Sequence, residues 1–222
     1  MRLINLDYSV VLPVRNGETF IQSALDSINS QHLQPRKIIV VDDHSVHPVS
    51  DILQPQINLE ILTATSEGQM AALNQGIGAV TSEFISFIDH DDCWADDRQL
   101  RHNGFFRETN TDCVASSVVN FHESAINLQG EFLNMGPSRV LGACTFKTEV
   151  FSRVGLFKEK IQHHGVIEWW ARAESIGIEV YRDKSPGLYR RIHGSNSGLV
   201  SKLDARKSLL SVLRQIPRGH FD

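Results

Sequence analysis

Tyr8-Ser9-Val10-Val11-Leu12-Pro13-Val14-Arg15-Asn16-Gly17-Glu18 decides how the rest of the chain is read. It is apolar and rich in β-branched residues as far as Val14, then breaks into turn-forming residues at Arg15, Asn16 and Gly17. Phe20, Ile21, Leu25 and Ile28 follow at helical spacing, so the stretch reads as strand, turn, helix. Working outward, Lys37–Val41 is a second apolar run stopped by Asp42, Asp43, His44 and Ser45, and Leu59–Leu62 is a third. Gln69–Val80 suits a helix, and Phe84–Ile88 is a fourth strand ending in Asp89-His90-Asp91-Asp92. Short apolar strands alternating with helices predict an α/β fold, a doubly wound, mostly parallel sheet flanked by helices.

Beyond residue 93 the alternation loosens. A buried strand is expected over Cys113–Val119, and the irregular sequence from Asn120 to Gly142 has the character of an inserted acceptor region. Val166–Ser175 reads as a helix stopped by Gly177, with Trp169, Trp170 and Ala173 near helical spacing. Ile178–Tyr181 and Gly187–Arg191 read as two short strands. The tail, 201–222, sets Leu203, Leu209, Leu210, Val212, Leu213 and Ile216 among Lys202, Arg206, Lys207, Arg214 and Arg218, the pattern of an amphipathic basic helix. The expected layout is a single domain over 1–200 with this C-terminal helical tail. Its first half, to about residue 110, carries the ligand edge of the parallel sheet, and 111–200 the rest.

Charge narrows the partners. With 22 Lys+Arg against 26 Asp+Glu in 222 residues, the net charge is -4, and the broad positive field of a nucleic-acid binder is missing. Cys93, Cys113 and Cys144 are widely spaced and odd in number, which suggests neither a disulfide framework nor a paired-cysteine zinc site. A reducing cytoplasm is the expected location. The first residues lack a signal-peptide layout, and no apolar run approaches the roughly 20 residues of a membrane span. The basic tail leaves peripheral contact with an anionic membrane face, or a homodimer, open.

Open α/β sheets bind ligands beyond the carboxyl ends of their strands. Asp42 and Asp43 end the second predicted strand, and Asp89, Asp91 and Asp92 end the fourth, so several carboxylates are expected on one edge. Alternate side chains of an extended chain point the same way, which lets Asp89 and Asp91 face one ligand together. Such a cluster repels itself unless a cation or hydrogen-bond donors share it, and hard carboxylate oxygens suit Mg2+ or Mn2+. The bland reading is that these Asp residues only make turns and caps.

Three runs tip the balance. Val10-Val11-Leu12-Pro13-Val14-Arg15-Asn16-Gly17, Ile39-Val40-Val41-Asp42-Asp43-His44-Ser45 and Phe87-Ile88-Asp89-His90-Asp91-Asp92 resemble the signatures of family 2 glycosyltransferases, in that family's order. Gly68-Gln69-Met70-Ala71-Ala72-Leu73-Asn74, Glu168-Trp169-Trp170-Ala171-Arg172 and Tyr189-Arg190-Arg191-Ile192-His193 resemble further segments of it. The resemblance implies a GT-A fold, a nucleoside-diphosphate sugar donor with UDP-sugar foremost, and inverting transfer to a sugar, lipid-linked or protein acceptor. It also implies roles. Pro13, Asp42, Asp43, Gly68, Gln69 and Asn74 shape the nucleotide site, with Asp43 ahead of Asp42 for the base; Asp89 sits near ribose and metal; Asp91 is the main metal ligand; Asp92 lies by the donor sugar or acceptor; and His193 reaches the metal or diphosphate.

The catalytic base is where the match thins. The acidic pair that many relatives carry falls on Gly165 and Val166, leaving Glu168 as the nearest carboxylate, with His163 and His164 as substitutes. The competing reading of Glu168 is a helix carboxylate paired with Arg172. Trp94 is the favoured stacking residue for a sugar. A donor-binding protein without catalysis is the rival function, motivated by Val166. A nucleotide-sugar-forming enzyme lacks support because only Gly17 follows the first strand, and a dinucleotide oxidoreductase because its glycine fingerprint is absent.

Overall fold

Alternate residues of the first strand face opposite layers of helix, and this arranges the whole domain. The computed structural model describes residues 6–122, 133–161 and 164–193. In chain order the elements are β1 Tyr8–Val14, α1 Ile21–Asn29, β2 Lys37–Asp42, β3 Leu59–Thr63, α2 Gln69–Gly78, β4 Phe84–Phe87 and β5 Cys93–Trp94. They continue with α3 Arg98–Glu108, β6 Cys113–His122, β7 Leu133–Pro137, β8 Cys144–Lys147, α4 Val150–Val154, α5 Gly165–Ser175 and β9 Val180–Ile192. The described strands form one sheet in the order β3-β2-β1-β4-β8-β6-β9-β5, with β7 on β6.

Tyr8, Val10, Leu12 and Val14 pack with Ile38 and Val40 against Ile21, Ala24, Leu25 and Ile28 of α1. Val11 packs against Met70, Leu73 and Ile77 of α2, and Ile39 and Val41 against Ala72, on the opposite face. Strands covered on both faces read as continuous apolar runs, which is why this half is legible in sequence. Each fully buried Leu, Ile or Val contributes about 1.5–3 kcal/mol. Gly76 lets α2 lie close on the sheet: a Cβ there would stand 2.4 Å from Cγ1 of Val11.

The sheet is parallel from β3 to β4 and then mixed. β8 is antiparallel to β4 and β6, while β9 is parallel to β6 and antiparallel to β5. Several expectations are revised here. The two short strands expected over 178–191 are one, β9, which the ladder to β6 follows through register shifts; Arg182 pairs with Ala115 and Pro186 with Ser117, so 183–185 stand opposite Ser116 alone. Helix α3 had no apolar stripe to announce it, because its buried face is Arg98, Gln99, His102 and Asn103. The segment expected to be irregular, 120–142, contains β7, which pairs with β6. The predicted tail helix, 201–222, lies outside the described residues, as does His163. Among the described residues no helix is long and apolar enough to cross a membrane.

Candidate donor and metal site

Strand order reverses at β1: the chain passes from β1 outward to β2 and β3, then returns through α2 to β4 on the other side. A crevice is expected at the carboxyl end of that switch point. Pro13 helps to make it. The β1–β4 ladder ends at Val11 with Phe87, and Ile88 N–H donates to the Val11 carbonyl at 3.2 Å. Pro13 lies two residues further with the same orientation, so its missing N–H falls where β4 has already left. The buried Pro13 still pairs in register with Val41 on the β2 side.

The turn after β1 is tied to the turn after β2. Asn16 N–H donates to Ser45 Oγ at 2.9 Å, and Val46 N–H to Asn16 Oδ1 at 2.9 Å. Asn16 and His44 both adopt left-handed backbone, at φ 53° and 57°. Asp42 is buried, and its carboxylate accepts the Ser45 and Val49 N–H groups at 2.9 and 3.1 Å. Those bonds commit Asp42 to shaping that turn. Asp43 in turn accepts Gly68 N–H at 2.8 Å, fixing the start of α2, and Gly68 takes a φ of 119° that favours glycine.

Asp89, Asp91 and Asp92 leave β4 and converge. Each offers an oxygen such that the three lie within 4.8 Å of one another. Carboxylate oxygens gathered this closely are a group that could hold a divalent cation such as Mg2+ or Mn2+. Burial, and then the Asp91 charge, raises the Asp89 carboxyl above its ordinary range, with the charges of His90 and Arg190 and a Gln69 hydrogen bond acting against it. Burial raises Asp92 well above its range, reinforced by Asp89 and Asp91. The smaller share that comes from the neighbouring carboxylates is the repulsion a bound cation would relieve. Gln69 Nε2 donates to Asp89 Oδ1 at 3.3 Å, placing the start of α2 beside the cluster.

The end of β9 closes the site from the second half of the chain. His193 Nε2 lies 2.9 Å from Asp91 Oδ2, so the structure brings His193 to the acidic cluster. Arg191 N–H donates to Asp92 Oδ1, and Arg191 Nε to the Asp91 carbonyl, both at 3.0 Å. The Arg191 guanidinium sits over the rings of Phe20 and Phe121, 4.7 and 4.8 Å from their centroids. Arg191 and Phe20 were given no role from sequence; Arg191 lies inside a quoted motif, but its contacts span about a hundred residues and leave no local signal.

Three other expected site residues are placed elsewhere. Both ends of the Asn74 amide are taken by the Phe157 backbone, at 2.9 Å each, so Asn74 ties α2 to the loop before α5. Trp94 is buried, its indole N–H donates to the Gly142 carbonyl and the Arg98 guanidinium covers its ring at 4.2 Å, which leaves no face for a sugar. Glu168 is buried, with Arg172 Nε and Nη2 at 3.0–3.2 Å and Lys158 Nζ at 2.7 Å. Burial alone would raise its carboxyl, but the bonds from Arg172 and Lys158 prevail and hold it below the ordinary range, making it a poor proton acceptor. Arg172 also reaches the Val154 and Leu156 carbonyls, so this is a clamp on the loop after α4. Trp169 and Trp170 are both core, in an aromatic cluster with Phe146.

Residues 9–151 match the model of glycosyl transferase family 2, and the chain belongs to that family. It is 27% identical over 146 residues to the amylovoran biosynthesis glycosyltransferase AmsB of Erwinia amylovora, covering 62% of this chain and 48% of that protein. It is 28% identical over 119 residues to the succinoglycan biosynthesis protein ExoW of Rhizobium meliloti, covering 50% and 37%. The chain therefore spans about half or less of the length of these curated relatives. The structure of S. aureus TarS 1-349 in complex with UDP-GlcNAc superposes with a TM-score of 0.74 at 17% identity, covering 97% of this chain and 68% of that one. The GT-A fold implied by the sequence motifs is thereby borne out.

Proposed function

We propose that this chain is a divalent-metal-dependent glycosyltransferase that moves a sugar from a nucleoside-diphosphate donor, UDP-sugar foremost, to an acceptor hydroxyl with inversion. The observation that carries the reading is the convergence of Asp89, Asp91 and Asp92 beyond the carboxyl end of β4. TarS, of the same fold, holds UDP-GlcNAc in its solved complex. Asp89, Asp91 and His193 hold Mn2+ or Mg2+, which when bound offsets the charge that grows on the departing diphosphate. Pro13 and Asp43 line the base side, with Gly68 and Gln69 presenting the start of α2, whose N–H groups and dipole favour an anion. Asp92 faces the donor sugar. The acceptor is a sugar, lipid-linked or protein hydroxyl met from the 111–200 side, at a cytoplasmic or membrane-peripheral location.

A second reading, a donor-binding protein without transfer, is favoured by the Glu168 clamp together with Val166, since neither supplies a base. UDP release from a panel of UDP-sugars, with and without Mn2+, separates the two. Slow Mn2+-dependent hydrolysis supports the transferase; binding with no turnover of any donor or acceptor supports the second reading.

A further inference from the structure

Within the acidic loop, Asp92 N–H donates to the Asp89 carbonyl at 3.1 Å. Arg191 and His193, about a hundred residues away at the end of β9, add bonds to Asp91 and Asp92 from outside it. We infer that Arg191 is the positioning residue of the metal site: its guanidinium, packed on Phe20 and Phe121, sets the Asp91 backbone in ligating geometry, while its backbone N–H holds the Asp92 carboxylate beside it. This inference rests on the metal-dependent reading above and deepens it.

The physical case has three parts. First, one residue reaches both neighbours, by its backbone N–H to Asp92 Oδ1 and by its side chain Nε to the Asp91 carbonyl, so moving it moves both. Second, the pairing of Cys93 with Tyr189 and Trp94 with Leu188 carries β9 alongside the loop, and this ladder aims Arg191 at it. Third, a planar guanidinium held against two rings has restricted freedom, and its Nε is left to donate. Phe20 stands just before α1 in the turn that follows β1, and its ring also meets His193 at 4.9 Å between centroids. The turn after β1 and the β9 arm thus meet on one aromatic ring. A lysine at 191 keeps the charge but loses the plane and the directed Nε donor.

The test is Mn2+ uptake read from the loss of the free-ion electron paramagnetic resonance signal, in wild type, Arg191→Lys and Phe20→Leu, beside thermal unfolding in EDTA. Arg191→Lys is expected to weaken Mn2+ binding roughly 10-fold or more, the usual effect of removing a supporting contact to a ligand. Phe20→Leu, which keeps apolar bulk and removes one ring face, is expected to weaken it roughly 3-fold or more. The EDTA melting curves should stay close to wild type, which separates positioning from general destabilisation. Wild-type affinity in Phe20→Leu, or in a folded Arg191→Lys, overturns the inference while leaving the metal site standing. A wild type that takes up no Mn2+ removes the metal-dependent reading and this inference with it.

Discussion

The two halves of the sheet bury their interiors by opposite means. Under α1 and α2 the strands β2 and β1 are mainly apolar on both faces, and polar side chains gather at their carboxyl ends. Under α3, by contrast, a buried polar chain crosses β4, β8, β6 and β9. Gln99 donates to Ser86, which meets Thr145 at 2.8 Å; His102 bridges Thr145 and Ser116 at 2.8 and 2.7 Å; and Ser116 and Arg101 both donate to Asp183 at 3.0 Å. Burial keeps His102 neutral, its basicity lowered first by desolvation and then by Arg98 and Arg101. The lesson is that one half places its charges where a ligand can share them, while the other satisfies its polar groups internally and acts as a scaffold. The β9 bulge belongs to that scaffold, since it turns Asp183 inward, and β9 then runs on to deliver Arg191 and His193 to the ligand edge.

Breaking the scaffold should have the largest effect on stability. Asp183→Ala strips the buried partner from Arg101 and Ser116, and chemical denaturation should show a loss of about 3–5 kcal/mol. Glu168→Gln comes next, at about 1–2 kcal/mol for weakened charge-assisted bonds to Arg172 and Lys158. The sign of its pH dependence follows from a lowered carboxyl: the stability is present above the unfolded-state value and lost as pH falls through the folded one. In a transfer assay the same variant should fall by less than the roughly 10²-fold expected of a lost general base.

The ligand edge behaves in the reverse sense. Asp89 and Asp92 are raised, so the folded state holds their protons more tightly than the unfolded chain, and stability in EDTA should decline as pH rises from the ordinary value near 3.8 through the folded-state values. Asp92→Asn should flatten that decline in thermal melts at a series of pH values. A variant curve as steep as wild type would move the repulsion elsewhere. The smallest effect is expected at Arg98, fully buried, its basicity lowered to about 9 by desolvation, with Nε and Nη1 lacking hydrogen-bond partners. Arg98→Met should be within about 1 kcal/mol of neutral in denaturation, because a poorly paired buried charge costs nearly what its packing contributes.

This contrast also explains what could be read in advance. β1, β2 and β4 and the carboxylates that end them were legible because strands covered on both faces leave unbroken apolar runs that stop at the ligand edge. Helix α3 was not, since Gln99 and His102 are polar in sequence and become interior only through partners such as Thr145, 46 and 43 residues away. The β9 bulge was read as a gap between two strands for the same reason: Lys184, Ser185 and Pro186 are exposed, and only the ladder to β6 shows the chain to be continuous. The family motif pointed to His193, which lies beside Asp91, whereas the contacts of Arg191 and Phe20 are ones that no local pattern records. Glu168 shows the limit from the other side, because its nearness to a motif suggested a base and the Arg172 and Lys158 bonds give it a partner instead.

Calorimetric titration of UDP into wild type and Asp91→Ala, each with Mn2+ and with EDTA, tests the central claim most directly. The account predicts UDP binding by wild type that needs Mn2+, and its loss in Asp91→Ala by at least the roughly 10- to 100-fold that even a supporting contact to a ligand is worth. UDP binding of equal strength with Mn2+ and with EDTA, or unchanged in Asp91→Ala, would contradict it.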